Sequence, residues 1–260
     1  TNSKSFNIPN FLIPPVMHNK GNFIISLGSL CKWLGNEAEK LGVEIYPGFA
    51  ASDIVIDNGI LKGIVTGDLG VDIQGNPGQN YQAGIEIHSK FTLFAEGCRG
   101  HLGKKLMSQF DLRRKAQHQT YGIGLKELWE VKPENSKPGN VMHSIGWPLD
   151  QETYGGSFLY HLDKNLVSLG FVIGLDYKNP YLSPYEEFQR FKMHPSIKPL
   201  LDDGRRVSYG ARALNEGGWQ SLPKLSFPGG SLIGCEAGTL NTPKIKGTHT
   251  AMKSGIVASE

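Results

Sequence analysis

The sequence contains little cysteine for its length. Cys31, Cys98 and Cys235 are the only three in 260 residues. They are odd in number and far apart, and no Cys-x-x-Cys pair occurs. This pattern argues against a disulfide framework, a zinc knuckle or a complete iron–sulfur site within the chain. A reducing compartment fits the shortage.

The chain also lacks a strong excess of one charge and a long apolar run. Its formal net charge is +3, which is too small to indicate a nucleic-acid-binding protein. No run of about 18 apolar residues occurs, so no segment is predicted to span a membrane. There is no initiator Met and no signal peptide. Residues 1–22 are typical of an entering loop and 249–260 of a truncated helix, so we expect an internal piece of a longer protein.

Glycine, in contrast, is abundant at 33 of 260 residues, where about 7% is usual. No Gly-X-Y period exists, which excludes collagen. The single Gly-x-Gly, Gly122 and Gly124, has Glu127 where a third glycine is required, so no dinucleotide fingerprint is present. Neither a Ser/His/Asp nucleophile elbow nor His-Glu-x-x-His occurs. The sequence therefore predicts no catalytic side chain and no metal ligand.

Hydrophobic periodicity predicts a mixture of helices and strands. A helix is predicted over 27–41 with Gly42 as its C-terminal cap, followed by a strand over 43–46. Asn58-Gly59 between two apolar runs predicts a hairpin. Four later strands are expected to form one broad sheet, namely 119–131, 141–147, 157–162 and 166–175.

The remaining predicted strands are 23–26, 51–56, 60–66, 85–88, 91–95, 205–214 and 231–234. The remaining predicted helices are 101–110, 184–192, 197–201 and one from about 247. Residues 67–84 are predicted to be an exposed connection.

Two segments place glycine and polar residues after a predicted strand. Near the end of the chain, Gly247 and Thr248 start a helix whose free N–H groups suit an anion or a polarised carbonyl. An ordinary strand–loop–helix with a threonine cap explains the same residues. Earlier, Glu96 and Gly97 form a turn that can bring backbone against a phosphate or a ribose. The alternative there is a simple strand-end turn.

Two further segments suggest a flat ligand. Gly155-Gly156 precedes an aromatic, apolar strand, which suits a planar molecule with carbonyl oxygens, such as a quinone. A Gly-Gly hairpin turn is the alternative. Asn215 follows another strand, where it either points into a site or caps a turn.

The motifs together resemble a known family over essentially all 260 residues. That family is the electron transfer flavoprotein–ubiquinone oxidoreductases, and the resemblance covers about half of such an enzyme. The runs that carry it are Gly-Val-Glu-Ile-Tyr-Pro-Gly-Phe-Ala-Ala (42–51), Phe-Ala-Glu-Gly-Cys-Arg-Gly-His-Leu (94–102), Gln-Thr-Tyr-Gly-Ile-Gly-Leu-Lys-Glu-Leu-Trp (119–129), Gly-Trp-Pro-Leu-Asp (146–150), Thr-Tyr-Gly-Gly-Ser-Phe-Leu-Tyr-His-Leu (153–162), 174–184, 209–218 and 243–255.

The resemblance implies an α/β plus α+β fold. A partial FAD-binding domain of the glutathione-reductase-like type is expected to carry an inserted antiparallel-sheet ubiquinone domain. Residues 1–100 and 229–260 are assigned to the FAD-binding domain, and residues 101–228 to the ubiquinone-binding domain. The Gly-x-Gly-x-x-Gly for FAD pyrophosphate is expected upstream of Thr1, and the cysteines of a 4Fe-4S cluster downstream of Glu260.

The resemblance also implies roles for individual residues. Gly155 and Gly156 match a glycine pair that contacts ubiquinone through its backbone. Related FAD enzymes have Asp after the strand glycine, but Cys235 and Glu236 follow here, which leaves a carboxylate contact to the ribityl chain open. The residues assigned to FAD are Glu96, Gly97, Asn215, Gly234, Gly238, Gly247 and Thr248.

The reaction implied is electron transfer from reduced electron transfer flavoprotein, through FAD and a 4Fe-4S cluster, to ubiquinone in the respiratory chain. The full enzyme would be monotopic, on the matrix side of the mitochondrial inner membrane or the cytoplasmic side of a bacterial one. The alternatives are a geranylgeranyl-reductase-like flavoprotein or the electron-bifurcating relative of nitrogen fixation, a piece inactive in isolation, and a β-rich binding module.

Overall fold

A computed structural model describes residues 1–260 as two compact units. The first unit comprises Thr1–Leu27, Gln119–Glu216 and Thr242–Ile245, and the second comprises the remaining residues. None of the helices combines the length and apolar character needed to cross a bilayer. The helices are α1 (Leu27–Lys40), α2 (His101–Gln109), α3 (Pro184–Lys192), α4 (Lys198–Leu201), α5 (Gly234–Ala237) and α6 (Thr248–Ser259). The strands are β1 (Ala51–Asp57), β2 (Ile60–Thr66), β3 (Leu69–Val71), β4 (Pro77–Gln82), β5 (Glu86–His88), β6 (Thr92–Phe94), β7 (Tyr121–Glu130), β8 (Val141–Ser144), β9 (Gly155–His161), β10 (Leu166–Gly174), β11 (Arg205–Asn215), β12 (Ser226–Phe227) and β13 (Gly230–Leu232).

The first unit is built on a five-stranded antiparallel sheet in the order β11-β7-β10-β9-β8. The central strand β10 carries Leu169, Phe171 and Ile173 on one face, each at most 1% exposed. Helix α3 covers this face with Phe188, whose ring stacks on Phe171 at 6.3 Å. Because side chains alternate along a strand, the residues between these core positions lie on the opposite face. The predicted broad sheet is confirmed, with β11 as a fifth strand.

Helix α3 shows how local sequence sets an element's bounds. Ser183 caps it by accepting a hydrogen bond from the Glu186 N–H at 3.4 Å, and Pro184 occupies the first helical position. Proline is favourable there because its missing N–H has no partner in a helix. The predicted range of 184–192 is confirmed.

The second unit contains two small sheets and its own core. Strands β1, β2 and β5 form an antiparallel sheet, while β13 pairs parallel to β6 and antiparallel to β12. Asn58 and Gly59 both have positive φ, 49° and 76°, which is the two-residue hairpin turn that Asn-Gly favours. Leu102 and Leu106 of α2 pack with Phe94 in the core.

Some predicted elements were wrong. Residues 23–26 and 43–46 form no strand, because a strand requires a hydrogen-bonded neighbour and no strand of this chain pairs with them. The connection 67–84 contains the β3–β4 hairpin. The loop predicted after residue 234 begins with α5, which Gly238 ends in the left-handed conformation.

The unit boundaries lie inside the predicted ubiquinone-domain range of 101–228. Helix α2 belongs to the second unit because its apolar side chains complete the core that contains Phe94 and Leu232. Phe227, on β12, packs in that same core. The longest segment of the first unit runs from Gln119 to Glu216, and the assignment of 101–228 to a ubiquinone-binding domain stays a prediction.

Candidate functional site

The glycine pair lies at the start of β9, and its two members face opposite sides of the sheet. A Cβ on Gly155 would overlap the Val172 carbonyl oxygen and a Leu149 methyl group in the core. A Cβ on Gly156 would lie 2.5 Å from the Ser144 carbonyl oxygen. Both positions therefore require glycine for packing, whatever ligand they contact.

Gly156 belongs to a row of small residues on the face opposite α3. It lies across from Val172, and Val172 lies across from Gly124. Two residues along the strands, about 7 Å away, Gly174 lies across from Gly122. We call this surface, with Gly122, Gly124, Gly156 and Gly174, the glycine face. Gly124 and Gly156 are partly exposed on this face, whereas Gly122 and Gly174 are buried.

An acidic cluster, Glu216 and Asp176, borders the glycine face. No sequence motif predicted it. The Glu216 carboxyl lies against Gly122, where a Cβ would be 2.7 Å from its Oε2, and that oxygen is buried without a hydrogen-bond partner. Burial and the nearby Asp176 carboxylate raise the pKa of Glu216. Asp176 and the Tyr154 ring both lie against Gly174. Carboxyl groups thus lie at the Gly122 and Gly174 end of the glycine face.

Glu96 has a structural role that the sequence did not reveal. Its carboxylate accepts hydrogen bonds from the N–H groups of Leu102 at 3.3 Å and Gly103 at 2.7 Å, at the start of α2. His101 Nδ1 lies 3.2 Å from the same carboxylate. Negative charge is favourable at a helix N-terminus. The contact of Glu96 with FAD stays a prediction.

The glycines predicted to face FAD differ in whether backbone conformation and packing require glycine at that position. Gly97, Gly234 and Gly238 have φ of +94°, +58° and +82°, so other residues would be strained there. Gly97 has open space where a side chain would start. Gly247 has φ −119°, and a Cβ would lie 3.6 Å from Leu240, an ordinary contact. The fold therefore does not demand glycine at Gly247.

Two further predicted FAD positions lie at the ends of elements. Thr248 is an exposed residue at the start of α6, and Gly247 gives this helix no side-chain cap. Asn215 is 6% exposed at the end of β11, opposite Tyr121. A buried end-of-strand position does not decide between a ligand contact and a turn-capping role.

Glu236 occupies an unusual environment. It is 3% exposed, and its Oε2 has no hydrogen-bond partner. Burial and the nearby Glu96 carboxylate raise its pKa to about 7. It turns toward Gly100, which precedes α2, and Gly103 within α2, where a Cβ on either glycine would overlap its carboxyl oxygens. The only sequence feature that pointed to this position is that Cys235-Glu236 follows the strand glycine where related FAD enzymes have Asp.

The chain's own residues do not fit an iron–sulfur cluster. Cys31, Cys98 and Cys235 form no disulfide, and no group of three or more His, Cys, Asp or Glu is placed to hold a metal ion.

Comparison with known proteins decides the family. A family model described as "ETF-QO, ubiquinone-binding" matches residues 121–214, which is most of the five-stranded sheet. The electron transfer flavoprotein-ubiquinone oxidoreductase of Pseudomonas aeruginosa is 60% identical over 97% of this chain and 46% of its own length. The chain belongs to the electron transfer flavoprotein–ubiquinone oxidoreductase family. The mitochondrial protein of that name from Homo sapiens is 59% identical over 99% of the chain and 42% of its own length. The chain thus spans less than half of these relatives.

Solved structures of more distant proteins share the fold. A geranylgeranyl bacteriochlorophyll reductase-like protein from Thermoplasma acidophilum has a TM-score of 0.68 at 16% identity, over 89% of this chain and 52% of its own. A flavoprotein/dehydrogenase from Cytophaga hutchinsonii has a TM-score of 0.57 at 20% identity, over 88% and 51%. These similarities agree with the predicted mixed α/β fold containing part of an FAD-binding domain. The geranylgeranyl-reductase-like alternative is not favoured, since its likeness is confined to the fold.

Proposed function

We propose that this chain is the part of an electron transfer flavoprotein–ubiquinone oxidoreductase that binds ubiquinone and much of the FAD. The observation that carries the proposal is the identity of 59–60% to two such enzymes over nearly the whole chain. The parent enzyme would accept electrons from reduced electron transfer flavoprotein. It would pass them to ubiquinone in the respiratory chain.

The glycine face supports the quinone assignment. The β8–β9 ladder ends at Ser157, one residue after Gly156 in the chain, so no β8 residue pairs with the glycine pair. Backbone groups of Gly155 and Gly156 on that side are the ones proposed to bind a quinone oxygen. In the row through Gly124, Val172 is the one side chain between Gly156 and Gly124.

Several features of the second unit fit FAD. The open space at Gly97 and the uncapped start of α6 at Gly247 and Thr248 provide room and N–H donors for a polar cofactor. Bound FAD would supply the electron-transfer chemistry. The residues proposed to hold it are Glu96, Gly97, Asn215, Gly234, Gly238, Gly247 and Thr248.

The 4Fe-4S cluster and the membrane surface belong to the proposal for the parent protein. Cluster ligands are expected outside this chain, because its three cysteines are far apart in the sequence and no group of side chains is placed to hold a metal ion. The membrane would be the mitochondrial inner membrane or a bacterial inner membrane, as the mitochondrial and bacterial relatives indicate.

Two measurements test the proposal. In the parent protein, reduced electron transfer flavoprotein should drive stoichiometric reduction of ubiquinone; absence of quinone reduction by a folded, flavin-loaded protein would contradict it. For the chain alone, the absorbance spectrum of purified residues 1–260 decides whether it retains FAD. A colourless but folded chain would support the alternative of a piece inactive in isolation.

Gly247 offers a selective test of the FAD position. We expect Gly247→Ala to weaken FAD binding by the parent protein about tenfold or more, because a methyl group there would meet the cofactor. Its φ of −119° and the 3.6 Å contact with Leu240 suit alanine, so the free energy of unfolding of the apoprotein should change by only about 0.5 kcal/mol. Flavin fluorescence titration and thermal unfolding measure the two effects.

Gly255→Ala is the matched control in the same helix. A Cβ on Gly255 meets nothing within 4 Å, and alanine in a helix interior is favoured over glycine by about 0.5–1 kcal/mol. FAD affinity should be unchanged in this variant. Equal FAD affinities for the two variants would remove Gly247 from the proposed site.

A further inference from the structure

Two glutamates from distant parts of the sequence meet at the start of α2. Glu96 follows β6, and Glu236 lies within α5. A Cβ built on Gly100 would overlap the Oε2 atoms of both residues, so the two carboxyl groups adjoin the same point. Gly103 makes room for the other oxygen of Glu236 in the same way. The pair thus occupies a cradle that exists because these two positions are glycine.

The surroundings of the two carboxyl groups are unequal. Glu96 accepts the N–H groups of Leu102 and Gly103 at the positive end of α2, and His101 faces it. Both carboxylate oxygens of Glu96 therefore have a hydrogen-bond donor. Glu236 is 3% exposed, and its Oε2 has no donor. A buried carboxylate oxygen without a donor is unfavourable, whereas a protonated oxygen could itself donate.

The Oε2 atoms of Glu236 and Glu96 lie 2.2 and 2.4 Å from the same Cβ position on Gly100, and two like charges so close together repel each other. Besides Glu96, the charged group that acts on Glu236 is Lys104, which favours its ionised form, as does a hydrogen bond from the Gly100 backbone. Burial and Glu96 outweigh them, so the pKa of Glu236 is raised to about 7. The proton therefore belongs on Glu236.

We propose that Glu96 and Glu236 form a pH-sensitive latch that shares one proton, with the Glu236 hydroxyl donating to Glu96 and joining α5 to the start of α2. Loss of the proton places two adjacent negative charges in the cradle and loosens α5. The segment affected, Gly234 to Gly238, is the one assigned above to FAD. The latch itself requires no cofactor, so it stands or falls separately from the proposed function.

The direction of the pH effect follows from the raised pKa. The folded chain binds this proton more tightly than the unfolded chain, whose glutamate titrates near its ordinary 4.5. The stabilising contribution is complete below that value and is lost as the pH rises through about 7. Segment 234–238 should therefore become less protected in mildly alkaline solution.

Infrared spectroscopy of the full 260-residue chain locates the proton. At pH 6 we expect a protonated-carboxyl band that titrates with a midpoint near 7 and is missing in Glu236→Gln. Glu216→Gln is the matched control, since it removes another buried carboxyl group with a raised pKa and should leave the band of Glu236 in place. Absence of the band from the wild-type chain, or its persistence in Glu236→Gln, would overturn the proposal.

Hydrogen exchange tests the latch. After correction for intrinsic rates, protection of residues 234–238 should fall about tenfold or more between pH 6 and 8 in the wild-type chain and stay constant in Glu236→Gln. If Glu236→Gln fails to fold, Glu96→Gln replaces it. Removing the neighbouring charge should move the band's midpoint to lower pH, and an unmoved midpoint would refute the shared proton.

Discussion

Glu127→Ala is expected to lower the free energy of unfolding of the first unit by about 3–5 kcal/mol. The Glu127 side chain is 4% exposed and accepts hydrogen bonds from Lys192 at 2.9 and 3.0 Å, Arg206 at 3.2 Å and the Trp129 indole at 2.8 Å. Its removal would leave the Lys192 ammonium, 12% exposed, without its buried partner. Chemical denaturation followed by Trp fluorescence would measure the loss.

Glu130→Ala provides the matched control on the same strand. Glu130 pairs with Arg205 at 2.7 Å, but the two side chains are 48% and 74% exposed. Solvent screening limits such a pair to about 0–1 kcal/mol. Similar losses for the two variants would show that the buried cluster around Glu127 does not stabilise the unit.

The same cluster should respond to acid. Burial by itself raises the pKa of Glu127, but hydrogen bonds from Lys192, Trp129 and Arg206 outweigh burial and hold the pKa below its ordinary value. The stabilisation is therefore present above the ordinary glutamate pKa and is lost as the pH falls through the lowered one. This is opposite in sign to the effect of Glu236.

Gly156→Ala is expected to slow ubiquinone reduction by the parent enzyme about tenfold while leaving flavin reduction by electron transfer flavoprotein unchanged. Loss of one hydrogen bond costs up to about 1.5 kcal/mol, and about 1.4 kcal/mol corresponds to a factor of ten in rate. The new methyl group would lie 2.5 Å from the Ser144 carbonyl oxygen and displace the backbone proposed to bind the quinone. Stopped-flow measurement of each half-reaction separates the two steps.

Gly210→Ala controls for a methyl group added to the same sheet. Gly210 lies on β11 across from Lys126, on the glycine face, and a Cβ there meets nothing within 4 Å. Both half-reactions should keep their rates in this variant. A parallel fall of both half-reactions in Gly156→Ala would place the quinone elsewhere.

Local sequence predicted the elements whose signals are short-range. Asn58-Gly59 marks a hairpin because both residues tolerate positive φ, and Ser183-Pro184 marks the start of α3 through a cap and a fixed φ. The strand predicted at 43–46 is absent, because a local sequence pattern does not show whether a neighbouring strand is available for hydrogen bonding. The glycine pair was found as a motif, yet only the register with Val172 and Gly124 shows the face that Gly156 shares.

The sequence by itself determined the family, the kinds of element and the glycine motifs, because these depend on neighbouring residues and on matched runs. Tertiary structure decided the state of the buried acids. Glu127 meets Lys192 and Arg206, which follow it by 65 and 79 residues, and Glu236 meets Glu96, which precedes it by 140 residues. Whether a carboxyl group is ionised depends on burial and on the charges around it in space, and neither is encoded by spacing along the chain.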